Sequence, residues 1–268
     1  MKSYKLISFI VGAFVLVLAS CEPKEDRAEL KNNLTVDQVE LVVTSSTTGG
    51  NEITLKMNTP GVVGYWDYNL GRAYTDEVTI IYPIPGTSTF TFTGSLGAEF
   101  FEKTIDVTID QIDHPIADEW IYLVSEDIAA GKTWVFFKDN PEEGGGGPLW
   151  WYMSPPDDPS AYLTAWWNAG GTCCPPGDGN GEMSFNLDGA ANYIYNDGNG
   201  NIVNASFVLD VAKMRLVFNG ENILGQDDAR INPNGVYEVV RIDDNNLVLY
   251  TPNNGGGTGW TWWFKPKP

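Results

Sequence analysis

Short runs in which apolar and polar residues alternate follow one another along most of this chain, and they limit the folds open to it. Clear examples are residues 53–57 (ITLKM), 89–93 (TFTFT) and 104–110 (TIDVTID). Successive side chains of a strand point to opposite faces, so such runs predict half-buried β-strands. Long runs rich in Ala, Leu, Glu and Lys are absent, whereas the chain has 29 glycines and 16 prolines. The sequence therefore predicts an all-β fold with many turns.

Residues 34–127 are predicted to form a first β domain. Six or seven short strands separated by Gly, Pro and Asn turns are typical of a β-sandwich, and residues 120–124 supply its last strand. A domain boundary is expected near residues 126–131, where this pattern ends.

Residues 132–268 are predicted to form a second β domain. It opens with a strand at 133–137, after which residues 139–181 show no regular pattern. The alternation then resumes at residues 182–187, 192–195, 202–209, 213–218, 236–242, 247–251 and 260–264. About eight antiparallel strands indicate either a sandwich or a closed barrel, and the sequence leaves both open.

The irregular segment of the second domain holds two clusters of large aromatic residues. Neighbouring side chains of an extended segment point in opposite directions, so each cluster can place one ring in the core and one outward. An exposed indole can stack on the apolar face of a sugar ring, while carboxylates and amides accept hydrogen bonds from its hydroxyls. In the last strand, alternation places Trp263 opposite Trp260 and Trp262, which are expected in the core. The candidate glycan-binding residues are Trp150, Trp151, Tyr152, Trp166, Trp167, Asp157, Asp158, Asn168 and Trp263.

Cysteine and acidic residues near this segment suggest structural features. Cys173 and Cys174 are adjacent and either close a vicinal disulfide or remain free thiols. Asp178, Asn180 and Glu182 place oxygen atoms at alternate positions, as calcium loops do, although ordinary turn chemistry also explains them. Beyond this possible structural calcium, no cofactor is expected, and the single histidine, His114, makes a zinc site improbable.

No catalytic motif is recognisable. The chain has no Gly-x-Ser-x-Gly elbow, no phosphate-binding loop and no dinucleotide fingerprint. Glu182 and Asp188 would lie roughly 20 Å apart on one strand, which exceeds the separation that glycosidases use. We therefore expect a non-catalytic protein, and a glycoside hydrolase with an unrecognised acid pair stays an alternative.

The N-terminus carries Lys2 and Lys5, an apolar run at residues 6–18 and then Leu18-Ala19-Ser20-Cys21. This segment resembles a bacterial lipoprotein signal. The resemblance implies removal of residues 1–20, lipidation of Cys21 and a lipidated tether at residues 21–33. Glu22, Glu25 and Asp26 resemble the surface-export signal of Bacteroidota lipoproteins. Lipid anchorage to the outer membrane with exposure at the cell surface is therefore expected.

Two further resemblances concern the domains. Residues 64–69 (GYWDYN) and 103–109 (KTIDVTI) resemble PKD-type immunoglobulin-like modules, which implies that the first domain is a spacer. Residues 150–151, 166–167 and 182–189 (EMSFNLDG) resemble the C-terminal region of Bacteroidota surface glycan-binding lipoproteins. That family implies capture of a polysaccharide for uptake, together with a SusC/SusD-like importer complex.

The net charge of the chain limits the class of ligand that it can bind. The whole chain carries a formal charge of −19, and loss of residues 1–20 removes two lysines and no acids. So acidic a surface repels phosphate backbones, which excludes nucleic acid as a partner and favours a neutral ligand. We expect a neutral glucan, such as a β-1,3-linked laminarin. A structural or adhesin-like surface lipoprotein, with all tryptophans in the core, is the remaining alternative.

Overall fold

The computed structural model describes residues 34–139, 149–159, 167–170, 173–226, 232–252 and 257–268. Residues 35–268 form one compact unit. Within the described ranges, no helix combines the length and apolar character needed to cross a membrane. The structure confirms the predicted all-β class, because strands dominate it and a single short α-helix accompanies them among the described residues.

The N-terminal part consists of two antiparallel sheets. A 3-10 turn at Val36–Gln38 precedes strands β1 (Leu41–Ser45), β2 (Glu52–Met57), β3 (Val62–Asp67), β4 (Arg72–Ala73), β5 (Glu77–Ile81), β6 (Gly86–Leu96) and β7 (Glu99–Ile109). One sheet has the order β1-β2-β5 and the other the order β4-β3-β6-β7. Every described strand pair in both sheets is antiparallel.

Alternation gives the four-stranded sheet one buried face. Trp66 on β3 and Phe92 on β6 are paired across the strands, and their rings meet edge to face with centroids 5.2 Å apart. Phe90, two residues before Phe92, meets Tyr82 in the same manner at 5.0 Å. Phe90 and Phe92 belong to the hydrophobic core, so Thr91 and Thr93, which alternate with them, must point to the opposite face of the sheet.

The predicted strand at residues 120–124 is wrong, because the structure forms the helix α1 (Asp118–Val124) there. Trp120, Leu123 and Val124 are its buried residues, and their spacing is the one that places side chains on the same helix face. Asp118 and Glu119 in the first turn favour the helix N-terminus. A five-residue apolar run is too short to distinguish a helix from a strand by pattern alone.

The C-terminal part is an eight-stranded antiparallel barrel, which decides between the two architectures that the sequence left open. Its strands are β8 (Lys132–Phe136), β11 (Glu182–Asn186), β12 (Asn192–Asn196), β13 (Ile202–Asp210), β14 (Arg215–Asn219), β15 (Val236–Asp243), β16 (Asn246–Thr251) and β17 (Gly259–Pro266). Consecutive strands in this order are neighbours, and pairing of β17 with β8 closes the ring. Phe264 opposite Phe136 and Pro266 opposite Trp134 mark the closing seam.

The barrel interior contains closely packed side chains. Phe185 and Tyr193 stack with centroids 5.1 Å apart, and Tyr237 meets Trp262 edge to face at 5.8 Å. An eight-stranded barrel is just wide enough for side chains to fill it. Helix α1 is fastened to strand β8, since Trp134 Nε1 donates a hydrogen bond of 2.9 Å to the carbonyl oxygen of Leu123.

Residues 139–181, which show no regular pattern in the sequence, contain a hairpin. Strand β9 (Leu149–Ser154) pairs with β10 (Trp167–Gly170), and β9 also pairs with the first half of β17. The prediction of an irregular segment is therefore wrong at these residues. The register between β9 and β10 shifts at Trp150, so the regular alternation of apolar and polar residues is interrupted there, and Trp150 and Trp151 both join the main core.

Candidate functional site

The tryptophans of β9 do not form an exposed binding platform. Trp150 is 6% exposed, Trp151 is 1% exposed and Tyr152 is equally buried. The expectation that one of the rings of residues 150–152 points outward is therefore wrong. Trp150 and Trp151 join the main core, whereas Tyr152 packs in a second cluster with Val248 and Trp263.

Trp263 is buried as well, although alternation does place it opposite Trp262. Its Nε1 donates a hydrogen bond of 2.8 Å to Asn246 Oδ1, and Phe137 meets its ring edge to face. The second cluster thus covers the strand face that the sequence assigned to solvent. A ring held in this way has no free face for a sugar, so Trp263 is not a platform in this structure.

Two buried indole donors lie where loops contact the barrel. Nε1 of Trp150 and Nε1 of Trp262 have no hydrogen-bond acceptor among the described residues. A β-carbon at Gly179 would come within 2.9 Å of the Trp150 ring, and one at Gly225 within 3.0 Å of Trp262 Nε1. Glycine backbone therefore lies directly against both indoles and leaves neither ring face open at that point.

The remaining predicted residues are described only in part. Trp166 lies outside the described residues, and Trp167 and Asn168 are described only as backbone of β10. Asp157 and Asp158 are exposed after the end of β9. Burial of the Tyr250 hydroxyl, together with acidic groups that include Asp157 and Asp158, raises the pKa of the Tyr250 phenol to about 12.

The three calcium candidates turn to different partners. Asp178 accepts hydrogen bonds from the Gly225 amide at 3.0 Å and from the Tyr195 hydroxyl at 2.8 Å. Asn180 Oδ1 accepts from Lys138 Nζ, and Glu182 pairs with Lys267 at 2.7 Å. Burial is the main cause that raises the pKa of Asp178. Among the described residues, no group of three His, Cys, Asp or Glu side chains could hold a metal ion.

Cys173 and Cys174 are joined by a disulfide bond, and both residues are exposed. Cys21, the predicted lipidation site, lies outside the described residues. Both cysteines of the disulfide precede the turn that carries Asp178, so the bond stiffens the chain between β10 and β11 without bringing a further functional group to it.

Exposed rings instead lie on the outer side of the four-stranded N-terminal sheet. Phe100 on β7 is 87% exposed, Tyr74 beside β4 is 74% exposed, and Val63 on β3 is 71% exposed. Tyr65 is half-buried beside them. We call this side of the sheet the aromatic face, and we define it by Val63, Tyr65, Tyr74, Thr93, Ser95, Phe100 and Glu102.

The strand register orders these residues into two adjacent rows. In one row, Tyr65 lies opposite Thr93, which lies opposite Glu102. In the other row, Val63 lies opposite Ser95, which lies opposite Phe100. The hydroxyls of Thr93 and Ser95 on the inner strand β6 therefore stand between Tyr65 and Val63 on one side and Glu102 and Phe100 on the other.

Tyr65 and Tyr74 form one end of the aromatic face. Their ring centroids are 5.4 Å apart at 40°, and the Arg72 guanidinium lies 5.2 Å from the Tyr65 centroid. Arg72 Nε also bonds Asp67 Oδ2 at 2.9 Å, and this hydrogen bond is the main cause that raises the pKa of Arg72. The Asp67–Arg72 ion pair thus places a guanidinium against the Tyr65 ring and adds no net charge to the face.

Comparison with known proteins adds no relative. Neither the search against protein-family models nor the search of curated proteins finds a match to this chain.

Proposed function

We propose that this chain binds a neutral polysaccharide without cleaving it, and that the aromatic face makes the contact. The observation that carries the proposal is the exposure of Tyr74 and Phe100 on one face of the sheet, with the hydroxyls of Thr93 and Ser95 between them and the Glu102 carboxylate beside Phe100 on β7. A sugar ring offers apolar C–H faces to an aromatic ring and hydroxyls at its rim. Thr93, Ser95 and Glu102 can accept or exchange hydrogen bonds with those hydroxyls.

Charge supports a neutral ligand. The side chains of the aromatic face and its Asp67–Arg72 pair together carry one net negative charge, from Glu102. The whole chain carries −19. A polyanion approaching this face would meet repulsion, whereas a neutral chain would not. An anionic glycan would need cations to bridge it.

The Asp67–Arg72 pair supports binding without hydrolysis. Asp67 and Glu102 both lie on the side of the sheet that carries the exposed rings. Glycosidases use a pair of carboxyl groups that flank the bond to be broken. Asp67 is instead occupied by the Arg72 guanidinium at 2.9 Å, so it is not free to act in such a pair.

We also propose where the protein is located in the cell. Cys21 carries the lipid that tethers the chain to the outer membrane, with the aromatic face at the cell surface. The captured glucan, for which laminarin is the first candidate, is passed to a SusC/SusD-like importer. Replacement of Cys21 by Ser is expected to move the protein from the membrane fraction to the soluble fraction of expressing cells.

Affinity electrophoresis of residues 22–268, which include the whole compact unit, tests the binding. Native gels are cast with laminarin, starch, xylan or galactomannan, and with alginate or pectin as anionic polymers. We expect retardation by a neutral polymer, and weaker retardation in the Tyr74→Ala and Phe100→Ala variants. Ile202→Ala is the matched control, because Ile202 is an exposed apolar residue on the barrel.

Three outcomes would contradict the proposal. Unchanged mobility in every gel would show that the chain binds none of these glycans, and it would favour a structural or adhesin-like role for the aromatic face. Stronger retardation by alginate or pectin at low salt would refute the charge argument. New reducing ends after incubation with the retarding polymer would show a hydrolase, since binding alone breaks no glycosidic bond.

A further inference from the structure

The two most exposed rings of the aromatic face stand at opposite edges of its sheet. Tyr74 directly follows β4, and Phe100 lies on β7, and these are the two outer strands in the order β4-β3-β6-β7. Three inter-strand spacings therefore separate them, which is about 14 Å across the sheet. Their rows are also two residues apart, about 7 Å along the strands.

The resulting diagonal is long compared with a sugar. A pyranose ring with bonds of about 1.5 Å measures roughly 3 Å between opposite atoms, whereas the backbones of Tyr74 and Phe100 are about 16 Å apart. A single sugar can therefore contact one ring at most. Several linked sugars are needed to reach both rings, and they would pass over Thr93 and Ser95 with Glu102 beside their path.

The face is also open where the rings stand. Among the described strands, none pairs with the outer edge of β4 or of β7. A chain that lies over both rings can thus continue past either edge without meeting a paired strand. A pocket that recognises the end of a chain would need a wall at one of these positions.

Resting on the proposed function, we infer that the aromatic face selects internal stretches of an extended neutral polysaccharide over single sugars and chain ends. The two rings act as separate contacts along one ligand chain. Affinity then increases with chain length until the ligand spans from Tyr74 to Phe100, and it stays constant for longer chains. Each ring adds about tenfold to the affinity of a spanning ligand.

Calorimetric titration with laminarin and with its purified oligomers, from glucose upward, tests this inference. The wild-type chain of residues 22–268 is expected to show rising affinity and then a plateau. Phe100→Ala is expected to reach its plateau at a shorter oligomer, with a maximal affinity about tenfold lower. Ile202→Ala is expected to reproduce the wild-type curve. Reduction of the oligomer's terminal sugar to an alditol is expected to leave affinity unchanged.

The possible failures are distinguishable. If glucose binds as tightly as long oligomers, or if Phe100→Ala keeps the wild-type plateau length, the inference is overturned while glycan binding stands. If the terminal alditol abolishes binding, the site recognises chain ends, and the inference is again wrong. If neither laminarin nor any polymer in the gels binds, the proposed function itself fails.

Discussion

Replacing Trp151 by Ala tests whether this residue stabilises the core or binds the ligand. Trp151 is 1% exposed, and a buried tryptophan removes about 200 to 250 Å² from water. At about 25 cal/mol per Å² this burial is worth at most about 6 kcal/mol, and core replacements of this kind cost about 3–5 kcal/mol. We therefore expect Trp151→Ala to lower the free energy of unfolding by about 3–5 kcal/mol.

Phe100→Ala is the matched comparison, because its ring has the opposite environment. Phe100 is 87% exposed, so only about 25 Å² of a side chain of roughly 200 Å² is buried, worth about 0.6 kcal/mol. Loss of an aromatic side chain on a strand adds less than about 1 kcal/mol. This variant is expected to remain nearly as stable as the parent chain while its binding to the glycan falls.

Urea unfolding followed by far-ultraviolet circular dichroism measures both variants without depending on tryptophan emission. Linear extrapolation at unchanged slope gives the free energy of unfolding in water. If Trp151→Ala unfolds at the parent's urea concentration, the ring is not buried as described. If it also loses glycan binding while folded, the tryptophan platform predicted from the sequence is correct and the aromatic face is not the site.

Three further predictions concern stability. Gly225→Ala is expected to cost about 1–3 kcal/mol more than Gly189→Ala in urea unfolding, because both have positive φ but only Gly225 adjoins aromatic side chains; equal costs would contradict this. The hydrogen bond from the Thr47 hydroxyl lowers the pKa of Asp113 to about 2. Because an unfolded Asp has a pKa of about 3.9, the ionised Asp113 stabilises the fold fully above about pH 3.9, and this stabilisation is lost as the pH falls towards 2. Asp113→Asn should flatten the fall in melting temperature over that range, and an unchanged profile would refute the assignment. Reduction of the Cys173–Cys174 bond should lower the unfolding free energy by only about 1 kcal/mol, since it closes a minimal loop; a much larger loss would contradict this.

Most strands of the C-terminal part could be read from the sequence because they are half-buried. Each predicted run beyond residue 182 corresponds to one of the strands β11–β17, and residues 133–137 correspond to β8. Closure could not be read, since it depends on pairing between β17 and β8, which lie more than a hundred residues apart. Alternation reports which face of a strand is buried and is silent about which strands are neighbours.

The expectation of an exposed ring at residues 150–152 failed for a different reason. It assumed that an extended segment with adjacent rings has one face in the core and one in solvent. In β9 the register with β10 shifts at Trp150, so Trp150 and Trp151 both join the main core, and Tyr152 packs in a separate cluster with Val248 and Trp263. A strand covered on both faces places large residues at consecutive positions, so the same sequence pattern arises without any exposed ring.

Two sequence patterns point to the aromatic face, although the strand register is needed to complete the assignment. Residues 89–93 alternate Thr and Phe, and burial of Phe90 and Phe92 assigns the threonines to the outer side of the sheet. In β3 the neighbours Tyr65 and Trp66 point to opposite sides, and the sequence alone does not say which one is buried. The register resolves it, because Trp66 lies opposite Phe92 and Tyr65 lies opposite Thr93. A threonine-rich strand face next to an aromatic residue is therefore a better indicator of an exposed ring than a pair of adjacent tryptophans, since the threonines identify the side that water reaches.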